Sequence, residues 1–232
     1  GIGNPNLEVK RETNSKNIAK KINKLTQTMS RGSFIKDTAE IKNIYGLVEG
    51  SQEELKTIQK YLVPSKSKLL LWDDANENNI KNINLNNFKI IHFATHGELA
   101  GTIKGQNEPF LVLTPPKIGT NENDGLLTMS EIMNLENNAE LVILSACNTA
   151  GGNIKQSEGF SGLARAFLFS GSKSVLVSNW YVETYAAMEL TTGMMKLIKD
   201  NPKISTSKAL GGSMKNFINK NNKKLHPFYW AP

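Results

Sequence analysis

The sequence holds 232 residues, enough for one large domain or two small ones. At this size a chain buries roughly 70% of its unfolded surface and needs neither disulfide nor metal to fold. The one cysteine, Cys147, excludes an internal disulfide and fits a reducing, cytoplasmic setting. No apolar run approaches the about 20 residues of a membrane-spanning helix, and no signal peptide opens the chain. The net charge of +7 sits at the ends. Residues 1–42 hold nine Lys/Arg against four Asp/Glu, and residues 201–232 hold six Lys and no acid, so the middle is net acidic. Only three basic residues are Arg, which disfavours direct nucleic-acid binding, where Arg forks dominate.

Gly1-Ile2-Gly3-Asn4-Pro5-Asn6 reads as the end of a strand running into a turn. A start at Gly1 rather than Met reads as a fragment with its first strand truncated. Asn14 to Met29 can form a basic helix with Ile18, Ile22 and Leu25 along one face, and residues 8–45 together are expected to be a mobile connector. Ser51 with Glu54 has capping-box spacing, opening a helix with Leu55, Ile58 and Leu62 on one side that stops before Pro64.

Lys68 to Trp72 predicts a strand, Asp74 to Ile83 a helix, and Phe88 to Thr95 a second strand, apolar on both faces and ending at His96-Gly97. Phe110 to Thr114 predicts another strand, Asp124-Gly125 a turn, and Ser130 the cap of a helix to about Leu135. Leu141 to Ala146 reads as a buried strand ending at Cys147. Phe160, Leu163, Ala164, Phe167 and Leu168 follow at helical spacing up to Ser170-Gly171. Ser174 to Ser178 is the next strand, followed by helices at about 184–199 and 205–219 and an aromatic tail from His226 to Trp230. Apolar strands alternating with helices predict an α/β fold with a parallel sheet covered on both faces.

In open parallel sheets functional groups gather at the carboxyl ends of the strands. Two strands here end in His96 and Cys147. Adjacent strands lie about 4.8 Å apart, so side chains at matching ends can meet. A His can deprotonate a Cys for attack and later protonate a leaving amine. The N–H groups of Gly97 and Cys147 would make an oxyanion hole. A buried structural Cys and a hydrogen-bonded His satisfy the same residues.

Other constellations fail on geometry. His92 and His96 have metal-ligand spacing only on a helix; on a strand they stand about 13 Å apart. Gly159-x-Ser161-Gly162 lacks the last glycine of a nucleophile elbow, and no phosphate loop is present. Glu98, Asp124, Glu158 and Glu183 fall near expected strand ends, where a carboxylate would favour a basic side chain before the scissile bond. Two have local reasons to be there: Glu158 at a helix start and Asp124 in a turn.

Ile91-His92-Phe93-Ala94-Thr95-His96-Gly97 and Leu144-Ser145-Ala146-Cys147-Asn148-Thr149-Ala150 resemble the two signature stretches of CHAT domains, caspase- and separase-like cysteine peptidases. The resemblance continues in Asp124-Gly125-Leu126-Leu127, in Glu158-Gly159 through Phe167, in Ser178-Asn179-Trp180 and in His226-Pro227, and covers nearly the whole chain as one domain. It implies a caspase-like three-layer α-β-α sandwich with a mostly parallel sheet, and His96 and Cys147 as a catalytic dyad. It also implies no cofactor and no metal, a protein or peptide substrate, and an activating partner or fused helical-repeat region. Glu98, Asp124, Glu158, Trp180 and Glu183 are the candidate substrate contacts. Val182 is followed by Glu183-Thr184 where the family often shows Val-Asp-Asp, a departure in the substrate loop. The alternative is a catalytically silent interaction module with the same fold.

Overall fold

A computed structural model describes residues 1–7, 41–42, 44–103, 105–120, 122–145, 156–178, 182–220 and 226–231, without the side chains of Pro64 and residues 156–161. Its centre is a parallel sheet in the order β2-β1-β3-β7-β8. The strands are β1 (Ile2–Pro5), β2 (Leu70–Trp72), β3 (Ile90–Ala94), β7 (Leu141–Leu144) and β8 (Val175–Val177). Three further strands, β4 (Gly97–Glu98), β5 (Phe110–Val112) and β6 (Leu126–Thr128), form a separate antiparallel sheet.

The period of two along the strands builds the layers. Val142 and Leu144 of β7, with Ile91 and Phe93 of β3, face a core closed by α2 (Glu77–Asn82), α3 (Met129–Met133) and α4 (Gln156–Phe169). Leu141 and Ile143, with Ile90, face the other side, under α1 (Ser51–Tyr61), α5 (Thr184–Asp200) and α6 (Thr206–Lys220). Apolar strands with helices on both faces are the sandwich that the alternation of elements predicts. A short α7 (Pro227–Trp230) closes the described chain, capped by His226, whose Nδ1 accepts from the Phe228 N–H at 3.2 Å.

Three expectations change. The Phe110 strand belongs to the antiparallel sheet, because the chain turns after β3 and runs back: Val112 donates to the His96 carbonyl at 2.8 Å. Ser51 is not the cap of α1. Gly50 takes that place in a left-handed conformation, φ 78°, and both Ser51 and Glu54 turn into the core. Ser130 does not cap α3 either. Thr128 and Glu131 form the capping box, and Ser130 gives its N–H and hydroxyl to the Glu108 carboxylate at 2.8 and 2.7 Å. The Asn14–Met29 helix lies outside the described residues. The far end of the expected connector is docked: Ile41, Ile44 and Tyr45 are buried in an apolar cluster with Phe110, Val112 and Leu126.

Candidate active site

Parallel pairing brings β3 and β7 side by side, with Phe93 opposite Leu144. Two residues past the end of β3 stands His96, only 8% exposed. Its Nε2 lies 2.7 Å from the carbonyl oxygen of Gly46. A carbonyl only accepts, so Nε2 carries the hydrogen, and the neutral ring keeps its lone pair on Nδ1. The Tyr45 ring packs on the imidazole at 5.5 Å between centroids. Burial pulls the His96 pKa below the usual 6.5, although the Gly46 carbonyl opposes the shift. At neutral pH the ring is therefore an uncharged base, with Nε2 tethered and the lone pair on Nδ1.

Gly97 is buried in β4, opposite Leu111. Glu98 shares its side of β4 with the cluster around Tyr45. Burial raises its carboxyl to about 7, against a hydrogen bond with Thr102. Tyr45 is pushed up in turn, by burial and then by the Glu98 charge, and its hydroxyl is buried with no partner among the described residues. Glu98 therefore stands against an apolar cluster beside the phenol that covers His96.

Asp124 is tied into its turn, accepting from the Leu126 N–H at 2.9 Å, and burial raises it to about 7. Its neighbours are the fully buried Glu77, which accepts from the Asp124 and Gly125 N–H groups at 2.7 and 2.5 Å, and Lys81, which bridges Glu77 and Glu131 at 2.8 and 2.7 Å. Glu183 sits at the start of α5 without a side-chain capping bond. Cys147 and Trp180 lie outside the described residues, as does the side chain of Glu158 in α4. Among the described residues no group of three or more His, Cys, Asp or Glu could hold a metal ion, and His92 and His96 face different neighbours.

Sequence reasoning missed two sets of residues. Tyr45 and Gly46 carry no signal of their own, since a carbonyl is not legible in residue type. The second set lies on the face of β3 that Ile90 shares. His92 is 3% exposed, and its Nε2 lies 2.7 Å from the Ser145 hydroxyl and 3.2 Å from Glu54 Oε1. Ser145 and Thr191 both donate to that same carboxylate oxygen, at 2.8 and 2.6 Å. Burial alone would raise Glu54, but the His92 charge and the hydrogen bonds from His92, Thr191 and Ser145 hold it below the usual range. The signal was available: Glu54 lies one turn from Ile58 on an otherwise apolar helix face, and His92 interrupts an apolar strand.

Residues 5–232 match the family model of the CHAT domain. Among curated proteins, tetratricopeptide repeat protein 28 of Mus musculus is 26% identical over an alignment of 168 positions that covers 61% of this chain. Its Homo sapiens counterpart is 25% identical over the same length. The chain spans about 7% of the length of these relatives. With a family match over essentially its whole length and a mostly parallel sheet between helices, the chain belongs to the CHAT-domain family, of the caspase-like cysteine peptidase clan.

Proposed function

We propose that the protein is a cysteine endopeptidase in which Cys147 is the nucleophile and His96 the acid/base. The observation that carries this is the state of His96: buried, neutral, and held through Nε2 by the Gly46 carbonyl, which leaves the proton-accepting lone pair on Nδ1. A count along the chains supports the partnership. Phe93 pairs with Leu144, and His96 and Cys147 each stand three residues beyond that pair. In the reaction, Nδ1 takes the thiol proton as sulfur attacks the peptide carbonyl carbon. The oxyanion is held by the N–H groups of Gly97 and Cys147. The imidazolium then protonates the leaving amine, and water hydrolyses the thioester with His96 again as base.

The curated relatives are tetratricopeptide repeat proteins by name, which supports a helical-repeat region or a protein partner as the activator. The basic preference expected before the scissile bond now leans on Glu158 and Glu183, since Asp124 is committed to its turn and Glu98 to the Tyr45 cluster.

A positional-scanning peptide library, run with and without candidate activating proteins, tests the reading. Cleavage should vanish in Cys147→Ala, and His96→Ala should cost nearly as much, because dyad members act as a unit. Cleavage that survives Cys147→Ala sinks it. A best substrate with Met or Leu before the cut would place the carboxylates outside the pocket.

A further inference from the structure

We propose that Glu54, His92 and Ser145 are positioning residues for Cys147, a buried polar clamp that fixes the end of β7 against β3; this rests on Cys147 being the nucleophile. The three residues come from three elements. Glu54 lies on α1, His92 on β3, and Ser145 immediately follows β7. Ser145 is held twice. Its N–H donates to the Phe93 carbonyl at 2.9 Å, continuing the parallel ladder. Its hydroxyl donates to Glu54 Oε1 at 2.8 Å and receives from His92 Nε2 at 2.7 Å. Thr191 anchors the same carboxylate from α5.

The clamp is costly where it stands. Elsewhere this face of the sheet is filled by Leu141, Ile143, Met194 and Met195. Apolar side chains in place of a buried charged set are often neutral or stabilising. A group of this kind is well suited to geometric specification, because a hydrogen-bonded set tolerates one arrangement where apolar contacts tolerate several. The location agrees. The clamp grips β7 at Ser145, two residues before Cys147, and grips β3 at His92, four residues before His96. Fixing these two strands to each other fixes the relative axial position of both members of the dyad, and dyad chemistry is sensitive to misplacement of about 1 Å. The ring of His92 has no other tether: its Nδ1 is buried without a partner among the described residues.

The single cysteine gives a readout that does not depend on peptidase activity, since iodoacetamide can alkylate only Cys147. The variants are Ser145→Ala, Glu54→Gln and Ser145→Thr. The last keeps the hydroxyl, and a cavity of about 60 Å³ lined by Ser145, Thr191 and Leu190 offers room for the added methyl. Ser213→Ala is the control: it removes a buried hydroxyl, bonded to the Leu190 carbonyl at 2.8 Å, outside the clamp. Ser145→Ala and Glu54→Gln should each change the alkylation rate of Cys147 at least threefold. Each should lower kcat about tenfold while KM stays within twofold. Ser145→Thr should recover most of both, and Ser213→Ala should lower the melting temperature alone. If Ser145→Ala and Glu54→Gln alkylate within 1.5-fold of wild type, the clamp is only structural and the proposal falls, even if cleavage by the wild type proves the peptidase reading right. If no peptide is cleaved, or cleavage survives Cys147→Ala, the peptidase reading falls, and the alkylation rates alone decide the clamp.

Discussion

At the scale of single residues, two carboxylates with opposite shifts show how the molecule treats buried charge. Glu54 is nearly fully buried and stays ionised, because three donors converge on one oxygen. Glu98 is offered one hydrogen bond and a tyrosine, and its value rises to about 7. A carboxyl whose folded pKa lies above its unfolded 4.5 favours folding most at low pH. That advantage is lost as pH rises from the unfolded value through about 7, because the folded state holds a proton that the unfolded state has released. The full shift corresponds to roughly 3 kcal/mol, and partial exposure reduces it to about 1–2 kcal/mol. Glu98→Gln should therefore raise the melting temperature by several degrees at pH 8 and leave it unchanged near pH 4. Calorimetry at the two pH values checks this. Equal melting temperatures at pH 8 would show the carboxyl to be solvated, and would return Glu98 to the cleft as a candidate substrate contact.

At the scale of elements, the end of α4 is set by backbone geometry that one glycine permits. Gly171 has φ 114°, and a Cβ there would lie 2.1 Å from the Asn137 carbonyl oxygen. Gly211 in α6 meets nothing within 4 Å. Gly171→Ala should cost at least about 2 kcal/mol, whereas Gly211→Ala should stabilise by about 0.5–1 kcal/mol, since a helix interior favours Ala. Chemical denaturation of both variants checks the contrast, and equal effects would refute it. The helix after Ser145 was legible from its stripe of Leu163 and Phe167 and from Ser170-Gly171. The strands were legible because apolar residues buried on both faces leave little else possible: the ends of β3 and β7 fall within two residues of expectation. The caps were not legible. Ser51 and Glu54 have a capping box's spacing, but Glu54 also has His92, Ser145 and Thr191 to meet, partners 38 to 137 positions away in the sequence. The antiparallel sheet was missed for a similar reason. Its strands are two or three residues long, too short for a period to declare itself, and their pairing depends on the chain reversing after His96. Of the site, His96 could be found because its residue type announces chemistry, while the Gly46 carbonyl that sets its tautomer could not.

At the scale of the whole molecule, His96 depends on a stretch of chain 50 positions away. Ile41, Ile44 and Tyr45 are buried against the antiparallel sheet, and that docking carries the Gly46 carbonyl to the imidazole and lays the Tyr45 ring over it. Ile41 is fully buried, so Ile41→Asp places an unpaired charge in an apolar cluster, which proteins avoid by releasing the segment. Release would expose the His96 ring. Since burial is the larger influence on its pKa and pulls it down, the value should climb back toward 6.5, even though the smaller, upward influence of the Gly46 carbonyl disappears with it. For stability the sign is fixed as well. A histidine with a folded value below 6.5 gives its full contribution above that pH and loses it as pH falls through the folded value. The acid limb of this linkage should therefore flatten in the variant. With three histidines in the sequence, an NMR titration resolves each ring. The His96 titration should move upward in Ile41→Asp. Cleavage should fall at least tenfold while circular dichroism keeps the signature of the central sheet and its helices. An unchanged His96 titration together with an unchanged rate would show that the segment packs on the site without setting it.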